Sequence, residues 1–175
     1  MFDYQPHLSG ELLDLRPVRA TDFDGLFAAA SDPEVWALHP HSDRWQAPAF
    51  RAYFEEGLAS GGALVAIAKA DGAIAGWSRY SAQYAQSGEM EIGWTFLGRA
   101  YWGGAYNGEM KRLMLDHAFR FVDRIIFRIG ERNLRSRRAV EKIGGRLTDR
   151  TEVTIIDGVE SRNLYYAIER GRTAS

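Results

Sequence analysis

Between Glu91 and Asn107 a run of strand-forming residues passes into a turn of small residues and then directly into a helix. This junction constrains the fold more than any other segment. It reads Glu91-Ile92-Gly93-Trp94-Thr95-Phe96-Leu97-Gly98-Arg99-Ala100-Tyr101-Trp102-Gly103-Gly104-Ala105-Tyr106-Asn107. Small residues let an anion approach the main chain, and a helix start offers unpaired N–H groups at the positive end of its dipole. The junction is therefore either an anion cradle or a plain tight turn, and glycines alone do not separate the two.

Periodicity supplies the elements on either side. Leu12, Leu15 and Val18 sit among polar residues in a first strand, with Pro17 at a sheet edge or strand end. Thr21 or Asp22 caps a helix carrying Phe23, Leu26, Phe27 and Ala30, which Asp32-Pro33 stops. A second helix starts near Pro48 and carries Phe50, Tyr53, Phe54 and Leu58. The loop 36–46 between them holds His39, Pro40, His41 and Trp45, groups able to shape a pocket. From Ala63 the period becomes two: strands at 64–68, 74–84 and 89–97, with a turn at Asp71-Gly72, predict an antiparallel meander. After the small-residue turn comes a helix with Met110, Leu113, Met114, His117, Ala118 and Phe121 on one face. A strand at 124–129, a helix at 134–143 ended by Gly144-Gly145, and strands at 146–156 and 161–168 joined at Asp157-Gly158 complete the chain. This order predicts one mixed α+β domain over residues 1–175, with its core at about 11–169 and a polar tail at 170–175. The helix after the cradle links parallel neighbours by a crossover.

Net charge is -1, so no overall field draws nucleic acid or an anionic membrane. Cysteine is absent, which removes disulfides and thiolate metal sites and fits a reducing compartment. The first ten residues lack signal-peptide features, and no segment is apolar for the ~18 residues a membrane span needs. A cytoplasmic protein is expected.

A second motif is Asn133-Leu134-Arg135-Ser136-Arg137-Arg138-Ala139-Val140-Glu141-Lys142-Ile143-Gly144. Asn133 is placed to cap a helix with Ser136 in its first turn. Around it Arg124, Arg128, Arg132, Arg135, Arg137, Arg138, Lys142, Arg146 and Arg150 outnumber Asp123, Glu131, Glu141 and Asp149, a local positive surplus on a nearly neutral chain.

These two motifs, in this order and spacing, resemble the GNAT acyltransferases, in particular the branch that includes the ribosomal-protein N-terminal acetyltransferases. There the loop reads Trp-Gly-x-Gly-Tyr, matched by Trp102, Gly103, Gly104 and Tyr106 with Ala105 at the second glycine. The later helix reads Asn-x-x-Ser and ends Glu-Lys-x-Gly, matched by Asn133, Ser136, Glu141, Lys142 and Gly144. Leu15-Arg16-Pro17 with Asp22 is similar to the opening of that branch, so the likeness covers nearly the whole domain. It implies the GNAT fold, a central mixed sheet flanked by helices, and transfer of an acetyl group from acetyl-CoA to a primary amine. The resemblance places the coenzyme against Phe96, Leu97, Arg99, Trp102, Gly103, Gly104, Ala105, Tyr106, Asn107, Asn133 and Arg138. It implies no metal.

For chemistry, the resemblance points to Glu91 as base or water-organising carboxylate, with Glu89 as a rival of the same strand parity. Main-chain amides near Trp94 to Phe96 would polarise the carbonyl. Ser136 is the candidate acid, because the tyrosine many relatives use falls at Val140; a capping role for Ser136 is the alternative. Ala100 stands where Gln or Arg is usual, with Arg99 one residue earlier. His39 and His41 read as loop residues and His117 as core, while Trp77, Tyr80 and Tyr84 are either acceptor-pocket or core residues. The acceptor is a small-molecule or peptide amine, and two copies are expected to pair, if at all, through an exposed terminal strand. Competing readings are a coenzyme A sensor without turnover and a nucleic-acid binder using 124–150. A dinucleotide oxidoreductase is disfavoured by the lack of Gly-x-Gly-x-x-Gly.

Overall fold

The computed structural model describes residues 1–156 and 158–171. Among them runs one eight-stranded sheet of order β1-β2-β3-β4-β5-β6-β8-β7 with four α-helices. The strands are β1 (Leu8–Ser9), β2 (Leu13–Pro17), β3 (Ala63–Ala68), β4 (Ile74–Ser81), β5 (Glu89–Leu97), β6 (Arg124–Gly130), β7 (Arg146–Ile156) and β8 (Val159–Glu169). The helices are α1 (Phe23–Ala30), α2 (Ala47–Ser60), α3 (Ala105–Ala118) and α4 (Leu134–Lys142). All neighbouring strands are antiparallel except β5 and β6, which α3 joins by the expected crossover. The expected Asp157-Gly158 turn includes Asp157, which lies outside the described residues, as do 172–175 of the tail.

The sheet separates two apolar layers. On one face α3 and α4 bring Met110, Met114 and Val140 against Leu13, Tyr80, Ile92, Ile125, Phe127 and Tyr166. On the other, α1 and α2 bring Leu26, Phe50, Tyr53 and Phe54 against Val65, Trp77 and Phe96. Each large apolar side chain so buried contributes about 1.5–3 kcal/mol. Trp77 and Tyr80 are both fully buried, on opposite faces, so both are core residues and not pocket walls.

Several local readings are corrected. Asp22 does not cap α1 with its side chain. The chain enters that helix through a 3-10 turn (Ala20–Asp22), so the carboxylate turns back onto Arg16, whose two terminal nitrogens donate to it at 2.8 Å. The amide of Arg19 donates to it at 2.7 Å. Helix α3 ends at Ala118, whose carbonyl accepts the amides of Phe121 and Val122; Phe121 therefore leaves the helix and packs beside Phe2 and His117. β4 stops at Ser81, short of Tyr84, and the two-residue strand β1 was too brief to show any alternation. His117 is a core residue whose Nε2 lies 2.8 Å from the carbonyl oxygen of Asp3.

The functionally important irregularity lies at the centre. β5 and β6 share only the rungs Glu89↔Arg124, Met90↔Ile125 and Glu91↔Ile126. Beyond Glu91, β5 stays paired with β4 as far as Leu97, and β6 stays paired with β8 as far as Gly130. Both strands continue but part from each other, so a wedge opens between 92–97 and 127–130.

Candidate active site

One wall of the wedge is bent by a β-bulge. The β4–β5 register jumps from Arg79↔Gly93 to Trp77↔Phe96, so Ser78 alone faces both Trp94 and Thr95. Trp94 takes φ 50, a conformation that non-glycine residues adopt rarely and at a cost. The extra residue shifts side-chain parity along β5. Trp94 and Phe96 lie on the α1/α2 face, where Trp94 stacks on the Arg79 guanidinium at 3.9 Å. Thr95 points the other way, and its Oγ1 lies 2.8 Å from Ser78 Oγ. The bulge is held from both sides. Tyr53 of α2 donates from its hydroxyl to the Trp94 carbonyl at 2.5 Å, and Lys111 of α3 donates to Ser78 Oγ at 2.9 Å and to Thr95 Oγ1.

At the last shared rung stands Glu91, 2% exposed, with Oε2 making no hydrogen bond among the described residues. Burial pushes its carboxyl up to about 7, against the pull of Arg128, Arg79 and Arg150. The absence of a side chain at Gly93 leaves room beside it, since a Cβ there would stand 3.2 Å from Glu91 Oε1. The arginines around Glu91 are committed elsewhere. Arg79 pairs with Glu56 at 2.9 Å, Arg128 with Glu152 at 2.5 Å, and Arg150 with Glu89 at 3.3 Å. Glu89 also accepts from the Gln86 amide and pairs with Arg124, so its charge is fully used in holding the strand end. Thus two carboxylates of equal strand parity have different environments: Glu89 is an ion-pair anchor and Glu91 is an unpaired buried acid. Tyr84 lies at this rim, with Arg128 4.3 Å over its ring and its carbonyl accepting from Arg150.

The far end of the wedge is the small-residue turn. A 3-10 turn (Arg99–Tyr101) follows Gly98, and the Trp102 indole folds back to donate to the Leu97 carbonyl at 2.9 Å. Gly103 and Gly104 take φ 109 and 106, values that suit glycine, and α3 begins at Ala105. A Cβ on either glycine would meet nothing within 4 Å. The space beside the two glycines is therefore not plugged, and the amides of Ala105, Tyr106 and Asn107 meet no acceptor among the described residues, as an anion cradle requires. Tyr106 meets Tyr101 edge to face at 5.1 Å, and Asn107 is half-buried in the first turn. Phe96 is buried in the α1/α2 layer, so only its main chain is available to a ligand; Leu97 is buried in the opposite layer. Arg99 points to Asp32 at 3.4 Å.

Across the opening, α4 starts with the buried Asn133, whose Oδ1 accepts the Ser136 amide at 3.2 Å. This is the expected cap. Ser136 is half-buried, and Arg138 is exposed without an ion-pair partner among the described residues. Arg135, not singled out from sequence, stacks on Trp102 at 4.3 Å and donates to the carbonyls of Glu34 and Val35, tying α4 to the cradle. Tyr53, Arg79, Lys111, Arg128, Arg150 and Glu152 were also missed as site residues.

Much of the basic surplus of 124–150 is spent internally: besides the pairs above, Arg124 binds Glu169 and Arg137 donates to Tyr166 Oη and the Glu131 carbonyl. In loop 36–46 the His41 amide donates to His39 Nδ1 at 3.0 Å, and among the described residues no group of His, Asp and Glu is placed to hold a metal ion. A cavity of about 210 Å³ between this loop and α2 is lined by His41, Asp43, Arg44, Tyr53 and Glu56. A larger one, about 310 Å³, lies between Arg124, Gly144, Arg146 and Glu169 and includes neither Glu91 nor the cradle.

The family model for the acetyltransferase (GNAT) domain matches residues 13–146. A GCN5-related N-acetyltransferase from Brucella melitensis superposes with TM-score 0.82 at 20% identity, covering 94% of this chain and 79% of that one. An acetyltransferase of the GNAT family from Bacillus anthracis gives 0.77 at 21%, covering 94% and 98%. Mycobacterium smegmatis RimJ in complex with CoA-disulfide gives 0.71 at 20%, covering 97% and 90%. No curated protein matches. With the family model spanning β2 through the start of β7, the chain belongs to the GNAT acetyltransferase family.

Proposed function

We propose that this chain acts as one domain that moves an acetyl group from acetyl-CoA to a primary amine by direct attack. The observation that carries the reading is the unpaired, buried carboxylate of Glu91 at the closed end of a wedge whose far end is an open cradle of main-chain amides. Acetyl-CoA supplies an acyl group already activated as a thioester.

The cradle amides from Gly103 to Asn107, with Trp102 and Tyr106 beside them, are the groups that would take the pyrophosphate. Asn133 would serve the pantetheine arm, and Arg138 has an uncommitted guanidinium for a coenzyme phosphate. Arg99, which stands one residue before the usual Gln or Arg position and lies 3.4 Å from Asp32, would have to leave that exposed contact to meet the coenzyme. Glu91, with its pKa near 7, withdraws the proton of the incoming amine, directly or through water. Amides of the bulge, Trp94 to Phe96, polarise the carbonyl where charge develops. The Ser136 hydroxyl, which donates to no described residue, delivers a proton to the departing sulfur directly or through water and regains one from solvent, while its amide stays bound to Asn133.

Glu91 is favoured over Glu89 because Glu89 is held in two ion pairs. The RimJ likeness, together with the Asn133 and Ser136 motif, favours the ribosomal-protein acetyltransferase branch and hence a peptide amine as one acceptor class to test. Free-thiol release from acetyl-CoA over a panel of amines and N-terminal peptides tests the proposal. Turnover that falls in Glu91→Gln and Ser136→Ala supports it; coenzyme binding without turnover on any amine would leave the sensor reading in its place.

A further inference from the structure

Lys111 lies in the second turn of α3 and is 5% exposed. Its ammonium nitrogen meets hydroxyls, Ser78 Oγ at 2.9 Å on β4 and Thr95 Oγ1 on β5, with the Phe127 ring of β6 5.9 Å away. No carboxylate lies within ion-pair distance among the described residues, and Met110, Met114 and Leu115 of the same helix are buried in the apolar core. A cation buried without a counter-ion lowers stability, and an apolar side chain of similar length would fill this place at smaller cost. Burial alone brings its pKa down to about 7. Packing therefore does not account for a lysine here, whereas its partners suggest a task. Ser78 is the residue of β4 that faces the bulge, and Thr95 is half of the bulge itself. Both hydroxyls also lie 3.4 Å from the Gly93 carbonyl oxygen. The helix that carries Lys111 begins at the cradle. One side chain thus spans from the cradle's helix to the irregular strand that forms one wall of the wedge.

We propose that Lys111 is a positioning residue that clamps the β5 bulge to α3 and so fixes the distance between the Gly103–Gly104 cradle and the amides of Trp94 to Phe96. The proposal rests on the acetyl-transfer reading, because that distance matters only if one ligand is held at the cradle and reacts at the bulge. Displacement of the bulge leaves the cradle intact, so the loss falls on the chemical step and not on coenzyme binding. A misplacement near 1 Å costs up to about a hundredfold in rate.

The test measures kcat for acetyl transfer and, by calorimetry, the Kd for coenzyme A itself, in wild type, Lys111→Met, Thr95→Val and Thr95→Ser. The expected result is a fall of about 10- to 100-fold in kcat for Lys111→Met and Thr95→Val, with Kd changed less than about threefold, and recovery of most of the rate in Thr95→Ser, which keeps the hydroxyl. The double variant Lys111→Met/Thr95→Val should be no slower than the worse single one, since both break the same clamp. If wild type shows no turnover with any amine, the acetyl-transfer reading falls and this inference falls with it. If wild type turns over while Lys111→Met keeps its kcat, the clamp alone is overturned. Should Lys111→Met fail to fold, a wild-type kcat in Thr95→Val overturns the clamp equally.

Discussion

The hydroxyl oxygen of Tyr53 lies 2.5 Å from the carbonyl oxygen of Trp94, so α2 grips the same bulge that Lys111 grips from the opposite face. The indole of Trp77 donates to that hydroxyl at 2.9 Å, which leaves the Tyr53 proton aimed at Trp94. Burial keeps this phenol protonated, its pKa pushed up to about 12 despite the neighbouring Arg44. A residue at φ 50 is thereby fixed by a donor that does not titrate near neutrality.

Replacing Tyr53 with Phe removes the donor to the Trp94 carbonyl and the acceptor for the Trp77 indole together. Each buried group left unpaired costs about 1–3 kcal/mol. A urea titration should show Tyr53→Phe destabilised within that range or somewhat beyond it, with a lower kcat and an unchanged Kd for coenzyme A. An unaltered urea midpoint would mean that the bulge does not depend on this contact.

Glu91 sets a pH dependence whose direction follows from its environment. Burial raises its folded pKa to about 7, above that of an ordinary carboxyl, so the ionised form is disfavoured in the fold. As pH rises from the usual carboxylate range through about 7, ionisation of Glu91 therefore lowers stability. Activity moves the other way, because the base works only when deprotonated: kcat/KM should fall tenfold per pH unit below an acidic limb near 7. In Glu91→Gln the limb should vanish and kcat should drop by about 10²- to 10⁴-fold. A full acidic limb surviving in Glu91→Gln would assign it to another group.

How much of this was readable in advance depended on whether the cause was local. The element order apart from β1, the crossover at α3 and the Asn133 cap each follow from neighbours a few residues apart, and they are found where periodicity and capping put them. The distinction between Glu89 and Glu91 was not readable. The arginines that decide it come from β4, β6 and β7, distant in sequence and adjacent only across the sheet. The bulge was hidden because Gly93-Trp94-Thr95-Phe96 reads as an ordinary strand, and one extra residue changes parity without changing composition. Lys111 was passed over for a related reason: a lysine in an amphipathic helix is assigned to the solvent face, and only the hydroxyls of Ser78 and Thr95 make its burial tolerable.

The cradle offers a separation of binding from chemistry that complements the Lys111 variants. Gly104 sits at φ 106 immediately before α3, and the space in front of it is open. Gly104→Val places a branched side chain in that space and strains a backbone that suits glycine, at a cost of about 1–3 kcal/mol. The expected outcome is at least about tenfold weaker coenzyme A binding by calorimetry, because amides that should meet an anion become shielded. Unchanged affinity would place the coenzyme elsewhere.

Lys111 should also mark the stability curve, in a window set by its own titration. Its unfolded pKa is that of an ordinary lysine, while burial brings the folded value down to about 7. Between those values the unfolded chain holds a proton that the folded chain has released. Stability contributed at this site therefore rises with pH from about 7 toward the ordinary lysine range, and below about 7 the folded state carries the buried cation at full cost. Lys111→Met removes both the cation and the titration. Its melting temperature should exceed wild type at pH 7, and the gap should shrink as pH rises. A variant that is more stable yet slower would show a charge kept in the core at the expense of stability to hold the bulge in place. A gap independent of pH would mean instead that the amine does not titrate in this window.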